Sequence, residues 1–194
     1  GALYFHLNPK SAVISDVHKE LIDFYQSIKD GHAQDIYDFM KAHPNDEQTY
    51  YRVRDELPYF DILDNAKRFY YLRKTCYRGM LRYNKKGKFN IPFGRYKTFK
   101  FEDIKNVHYQ RLLKNTDIFN ETFQTIFDAY NDPDHFMFLD PPYDSPFSNY
   151  GYGSFNKEHH LILAHHFKNT KIKCLMVIGH SPFIQDLYKD FIVA

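Results

Sequence analysis

The chain contains no tryptophan and only two cysteines, Cys76 and Cys174, far apart among its 194 residues. Neither has the spacing of a metal ligand, and Cys174 sits in an apolar run. Both therefore read as reduced thiols of an intracellular protein, which argues against a disulfide framework. Long apolar runs are lacking too. None approaches the roughly 20 residues that a membrane-spanning helix needs, and no secretory leader is visible, so a cytoplasmic protein without membrane contact is predicted. The 11 histidines include the pairs His159-His160 and His165-His166, without a Cys or carboxylate pattern around them. They read as helix-surface and boundary residues, and no metal site is expected.

Acidic residues are missing locally. From Lys67 to Lys100 the chain carries 12 of its 26 Lys and Arg and none of its 24 Asp and Glu. A solvated face normally mixes signs, so this stretch reads as the electrostatic footprint of a polyanion site. Aromatics, by contrast, are plentiful. With 17 Tyr and 19 Phe, a sizeable core is feasible in one domain, or in one domain with a large insertion. Both ends read as cut: Gly1-Ala2-Leu3 opens without a start Met or a preceding strand, and 191–194 stop within what reads as a strand.

The chain is organised around Asp140-Pro141-Pro142-Tyr143, which follows the apolar run Phe136-Met137-Phe138-Leu139, read as a buried strand. Neither proline has an N–H for a ladder, and each pushes its predecessor into an extended conformation, so the strand must stop there. The result is a stiff peptide at a strand's carboxyl end, where open α/β sheets bind ligands. It offers a carboxylate, proline carbonyls and a ring. That set suits attack by the exocyclic amine of a flat base. Such a nitrogen is a poor nucleophile because its lone pair is delocalised into the ring. A carboxylate and a carbonyl, each accepting one N–H, can hold it and draw it toward tetrahedral geometry while an aromatic ring stacks on the base. Positioning alone can remove roughly 7–11 kcal/mol of barrier.

Residues 1–8 look like the end of a glycine loop entering a helix. A short strand, 12–16, ends in Asp16, which is either a ribose-binding acid or the cap of the next helix. Helices are expected at 33–42, 46–57 and 62–78. A basic hairpin follows at 79–93, with alternating residues around a Lys-Lys-Gly turn and with Asn and Arg able to read base edges. A helix at 101–113, a strand at 117–120 and a helix at 121–130 come next. After the motif, 144–154 form a polar, glycine-containing loop that reads as mobile and able to close over a base. A helix at 156–167, a strand at 173–178 and a helix at 182–188 complete the chain. This order predicts a parallel α/β core, 1–32 with 101–194, and a grafted DNA-binding insertion at 33–100.

The Asp-Pro-Pro-Tyr motif resembles the signature of the N6-adenine and N4-cytosine amino-methyltransferases. Nearly the whole chain resembles the Dam-type, D12 class DNA adenine methyltransferases, whose better-known members methylate adenine in GATC. Besides the motif, the resemblance rests on Phe89-Asn90-Ile91-Pro92-Phe93-Gly94-Arg95-Tyr96, close to the family's Phe-Asn-Val-Pro-Phe-Gly-Arg-Tyr. It implies a Rossmann-like methyltransferase core that uses S-adenosylmethionine, no metal, and double-stranded DNA as partner. It leaves open whether a cognate restriction endonuclease acts on the same site, as it leaves open the oligomeric state and a bacterial, phage or large-virus source.

By position, the resemblance implies that Asp140 and the Pro141 carbonyl, with Pro142, hold the adenine amine and that Tyr143 stacks on the flipped base. For the cofactor it implies Gly1, Ala2, Asp16 (at the ribose), Val17, Thr122, Phe123 (against the adenosyl ring) and Asp140. For base reading it implies Met80, Arg82 and Pro92, with Tyr77 as a wedge into the duplex. Asn84, Asn90, Arg95, Tyr96 and Lys97 fall at backbone-contacting or hairpin-forming positions. The chain departs from the family in several places. The glycine motif is reduced to Gly1, Thr122-Phe123 replaces Asp-Phe, Tyr77-Arg78 replaces Tyr-Asn, and the final hairpin is absent. Ser-Pro-Pro-Tyr is more usual for N4-cytosine enzymes and Asn-Pro-Pro-Tyr for RNA or glutamine N5 methylation, which disfavours both. A non-catalytic DNA-binding subunit is the alternative from a different class.

Overall fold

The structure, a computed structural model, describes residues 1–144 and 155–193. It divides into two compact units, Gly1–Asn120 and Glu121–Ala194.

In the first unit, helix α1 (Ala2–Leu7) leads to strand β1 (Ala12–Ser15), which pairs in parallel with β2 (Thr116–Phe119), Ile14 opposite Ile118. Parallel neighbours require a crossover, and here that connection holds most of the unit. It carries helices α2 (Lys19–Lys29), α3 (Ala33–Ala42), α4 (Glu47–Asp55) and α5 (Ile62–Thr75). Asp46 and Asp61 cap α4 and α5, each side chain accepting a backbone N–H at 2.8 Å, from Thr49 and Asp64. Such caps satisfy amides that the helix itself leaves unpaired. One core joins Ile28, Ala33, Ile36, Ala66 and Leu113 to the sheet residues Ile14 and Ile118. A second packs Met40, Tyr50, Val53, Tyr71 and Leu72 against Phe89 and Ile91, so the hairpin is seated on the helices and is not a free arm.

Two expectations need correction here. The fifth helix stops at Thr75, not 78, because Cys76 is extended (φ −74°, ψ 161°) and bridges antiparallel to Phe93. Arg78 and Gly79 then take left-handed backbone. The single helix over 101–113 is two elements, a 3-10 turn at Glu102–Lys105 and α6 (Val107–Lys114). Asn106 separates them: it is extended at ψ 111°, and its side chain accepts the His108 N–H at 2.9 Å. A short polar side chain that bonds nearby backbone competes with helix continuation.

In the second unit, α7 (Phe123–Ala129) precedes β3 (Phe136–Leu139), and α8 (Lys157–Asn169) precedes β4 (Lys173–Met176) and α9 (Pro182–Tyr188). Strands β3 and β4 pair in parallel, Phe138 opposite Leu175. Met137, Leu139, Cys174 and Met176 turn inward onto Phe127 of α7 and Leu163 of α8. The reading of β3 as a buried strand is corrected. Helices cover one face of this pair, and on the other Phe136, Phe138 and Leu175 are exposed. Residues 191–193 are not a strand either, since the Phe191 amide donates to the Tyr188 carbonyl at 2.8 Å and turns the chain after α9. Ala194 and the loop over 145–154 lie outside the described residues. Mixed α/β structure with small parallel sheets is the architecture observed.

Candidate active site and DNA interface

Strand β3 delivers Asp140 exposed at its carboxyl end, with Pro141 and Pro142 half-buried behind it. The Asp140 carboxylate and the Pro141 carbonyl accept no hydrogen bond among the described residues, so both are free to accept one from a substrate amine. Tyr143 is 46% exposed, and its root rests on the backbone of Gly179, where an added Cβ would fall 2.9 Å from Tyr143 Cγ. The next residue is latched as well. Ser181 donates to Asp144 Oδ2 at 2.7 Å while its Oγ accepts the Ile184 N–H at 3.2 Å and caps α9. The turn after β4 thus holds the motif from the neighbouring strand. Sequence reasoning missed Gly179 and Ser181, although Ser181-Pro182 carries the cap-and-first-turn pattern of a helix start.

His160 corrects the expectation of a surface histidine. It is 1% exposed, packed edge-on to Phe155, and both ring nitrogens lack a hydrogen-bond partner among the described residues. Burial pushes its pKa down, the nearby Asp144 carboxylate opposes this, and His159 adds to it. Thr122 stands at the cap position of α7 with its hydroxyl 3.3 Å from that of Thr125. Phe123 is half-buried, with ring centroids 6.0 Å from Phe155 and from His166.

In the first unit, the acid expected at the ribose lies at the carboxyl end of β1. Asp16 Oδ1 accepts the His18 N–H at 2.8 Å, and its other oxygen accepts none among the described residues. Such an acceptor fits a sugar hydroxyl. Val17 is exposed beside it. Gly1 packs so tightly on Tyr25 that a Cβ there would collide with the Tyr25 hydroxyl. Burial, and then the Asp16 charge, push the Tyr25 pKa up. The structure therefore gathers Gly1 and Asp16 around Tyr25, with Ala2 opening α1.

The basic hairpin turns at Asn84, whose N–H donates to the Lys88 carbonyl at 2.9 Å. Its residues alternate: Met80, Arg82, Asn84 and Pro92 are exposed, whereas Tyr83, Phe89, Ile91 and Phe93 turn inward. All three expected base readers thus lie on the exposed side. Arg82 Nε donates to Asn90 Oδ1 at 2.8 Å across the hairpin, which fixes the guanidinium. Tyr77 is exposed with the Arg78 guanidinium 5.2 Å above its ring. Arg95 pairs with Glu47 at 3.0 Å, the Tyr96 carbonyl accepts from Asn45 at 2.9 Å, and Lys97 is exposed. Among the described residues no helix is long and apolar enough to cross a membrane.

Comparison with known proteins places this architecture in a class. The family model of the D12 class N6 adenine-specific DNA methyltransferases matches residues 1–194, and the chain belongs to that family. Among relatives, it is 57% identical over 194 residues to the type II methyltransferase M.CviBI of Paramecium bursaria Chlorella virus NC1A, covering 99% of this chain and 74% of that protein. It is 34% identical over 217 residues to the type II methyltransferase M.MjaIII of Methanocaldococcus jannaschii, covering 98% of this chain and 75% of that one. It is 28% identical over 173 residues to the DNA adenine methylase of Escherichia coli K12, covering 84% of this chain and 62% of that one. The enzyme is an adenine-specific DNA methyltransferase, and membership of that class implies S-adenosylmethionine as methyl donor and DNA as substrate.

Proposed function

We propose that the protein binds duplex DNA through its basic hairpin, swings an adenine out of the stack, and methylates it at N6 within a GATC-like site. The observation that carries this reading is the free acceptor pair of Asp140 and the Pro141 carbonyl at the end of β3. Each accepts one N–H of the adenine amine, so the nitrogen lone pair is released from the ring and aimed out of its plane. Tyr143, seated on Gly179, supplies the stacking surface that replaces the neighbouring bases, at a cost of a few kcal/mol for unstacking. S-adenosylmethionine, when bound, supplies an electrophilic methyl on a sulfonium. Asp16 of the first unit accepts a ribose hydroxyl, with Gly1, Ala2 and Val17 as further cofactor contacts, and the family resemblance assigns Thr122 and Phe123 of the second unit to the adenosyl ring.

Arg82, Met80 and Pro92 read base edges, with a fixed guanidinium suited to guanine and apolar groups to a thymine methyl. Tyr77 wedges into the duplex, and Asn84, Asn90, Arg95, Tyr96 and Lys97 hold the backbone or shape the hairpin. Residues 33–100 form the DNA-reading lobe of a Rossmann-like core that works inside the cell. The type II names of two relatives support a restriction–modification setting, with a nuclease that cuts the same site. Replacing Asp140 with Ala is expected to abolish methylation while leaving duplex affinity within about threefold, because phosphate contacts dominate affinity. Methylation by Asp140→Ala at the wild-type rate would overturn the assignment.

A further inference from the structure

We propose that Tyr83 is a positioning residue that couples the DNA-facing hairpin to the Asp16 turn. The inference rests on the reading above, in which the hairpin meets DNA and Asp16 holds the cofactor. Tyr83 lies between Arg82 and Asn84, which are exposed, and its ring turns inward, edge-on to Phe89 and His18. The Tyr83 hydroxyl donates to Glu20 Oε2 and lies 3.2 Å from His18 Nε2. That nitrogen is in turn 3.1 Å from Glu20 Oε2. The backbone N–H of the same His18 donates to Asp16 Oδ1 at 2.8 Å. Hydrogen bonds joined through the covalent frame of His18 thus link the hairpin to the acid at the end of β1, and the Tyr83–Glu20 bond alone spans 63 residues of sequence.

The network has room to shift. Glu20 Oε1 accepts from the Arg68 guanidinium at 3.4 Å, a long contact, and Arg68 Nε is buried with no hydrogen-bond partner among the described residues. A buried donor left unpaired is costly, and movement of Glu20 toward Arg68 would relieve it. DNA pressing on the exposed side of the hairpin displaces Tyr83, Glu20 follows, and the His18–Asp16 turn moves with them. By linkage, cofactor at Asp16 must then bias the hairpin by the same factor.

The test measures the dissociation constant of S-adenosylhomocysteine for the intact protein, with and without a GATC duplex. The wild type is compared with Tyr83→Phe and Glu20→Gln. Duplex is expected to tighten S-adenosylhomocysteine at least about fivefold in the wild type, the lower end of typical couplings. In both variants the ratio should fall to within about twofold of unity, while each ligand alone binds within about threefold of wild type. A variant ratio equal to that of the wild type, even with both affinities weakened together, would show a merely structural tie and overturn the coupling. So would a wild-type ratio of unity when both ligands bind. Failure of the wild type to bind one ligand at all would overturn the functional reading, and this inference with it.

Discussion

Gly179 has no side chain at the place where one would meet the root of Tyr143. The nearest Tyr143 atoms to an added Cβ are Cγ, Cδ2 and Cβ, so rotation of the ring's far end gives no relief. Gly179→Ala should therefore displace the stacking ring, and misplacement on the ångström scale costs on the order of 10–100-fold in rate. Single-turnover methylation is expected to slow by that factor with circular dichroism unchanged; an unaltered rate would show that the seat does not matter. His160 makes a different demand. Its folded pKa lies below the ordinary value of about 6.5, so just beneath that pH the unfolded chain binds more protons and stability falls as pH drops. His160→Leu should flatten that fall between about pH 7 and 5, read from urea midpoints. With both nitrogens unpaired among the described residues, it should cost less than about 1.5 kcal/mol at neutral pH. The carboxylate, the prolines and the ring of the motif were legible in sequence because they are contiguous. Gly179, Ser181 and the burial of His160 were not, because each depends on chain that folds back from a neighbouring element.

Among the elements, α3, β3 and α9 lie at the boundaries expected from sequence. Pro44-Asn45 follows the end of α3, Asp140-Pro141 follows β3, and Ser181-Pro182 starts α9, and such punctuation is local. The hairpin's alternation was legible for the same reason. The break at Asn106 was not, because the helical spacing runs through it and only the backbone shows that its side chain is spent on His108. Asn106→Ala is expected to cost about 1 kcal/mol of stability, the usual loss of a helix cap, measurable by urea denaturation; no change would mean that the cap is idle. The exposed face of β3 was also hidden, since a run of apolar residues says nothing about how many faces find a cover. The hairpin makes its own prediction. Lys85, Lys86 and Lys88 are exposed at its tip, and replacing one with Ala should lower the slope of log affinity against log salt by about 1 if that lysine meets a phosphate. Fluorescence anisotropy across a salt series decides it.

For the whole molecule, charge and motif point to the same chemistry by independent routes. The stretch from Lys67 to Lys100 gathers 12 basic residues without one acid, and its alternation places Met80, Arg82 and Pro92 on the exposed side of a hairpin packed on helices. Strand β3 ends in an acceptor pair that accepts no hydrogen bond among the described residues, beside a ring held by the next strand's turn. The α/β class was legible from the order of strands and helices, and the family model over residues 1–194 agrees with the chemistry that the motif suggested. The central claim is methylation of adenine N6 in a chosen site. The most direct test incubates the intact protein and labelled S-adenosylmethionine with duplexes that contain GATC or a scrambled site, then identifies the labelled nucleoside. N6-methyladenine in the GATC duplex alone is the expected result, whereas duplex binding without methyl transfer to either would contradict the account.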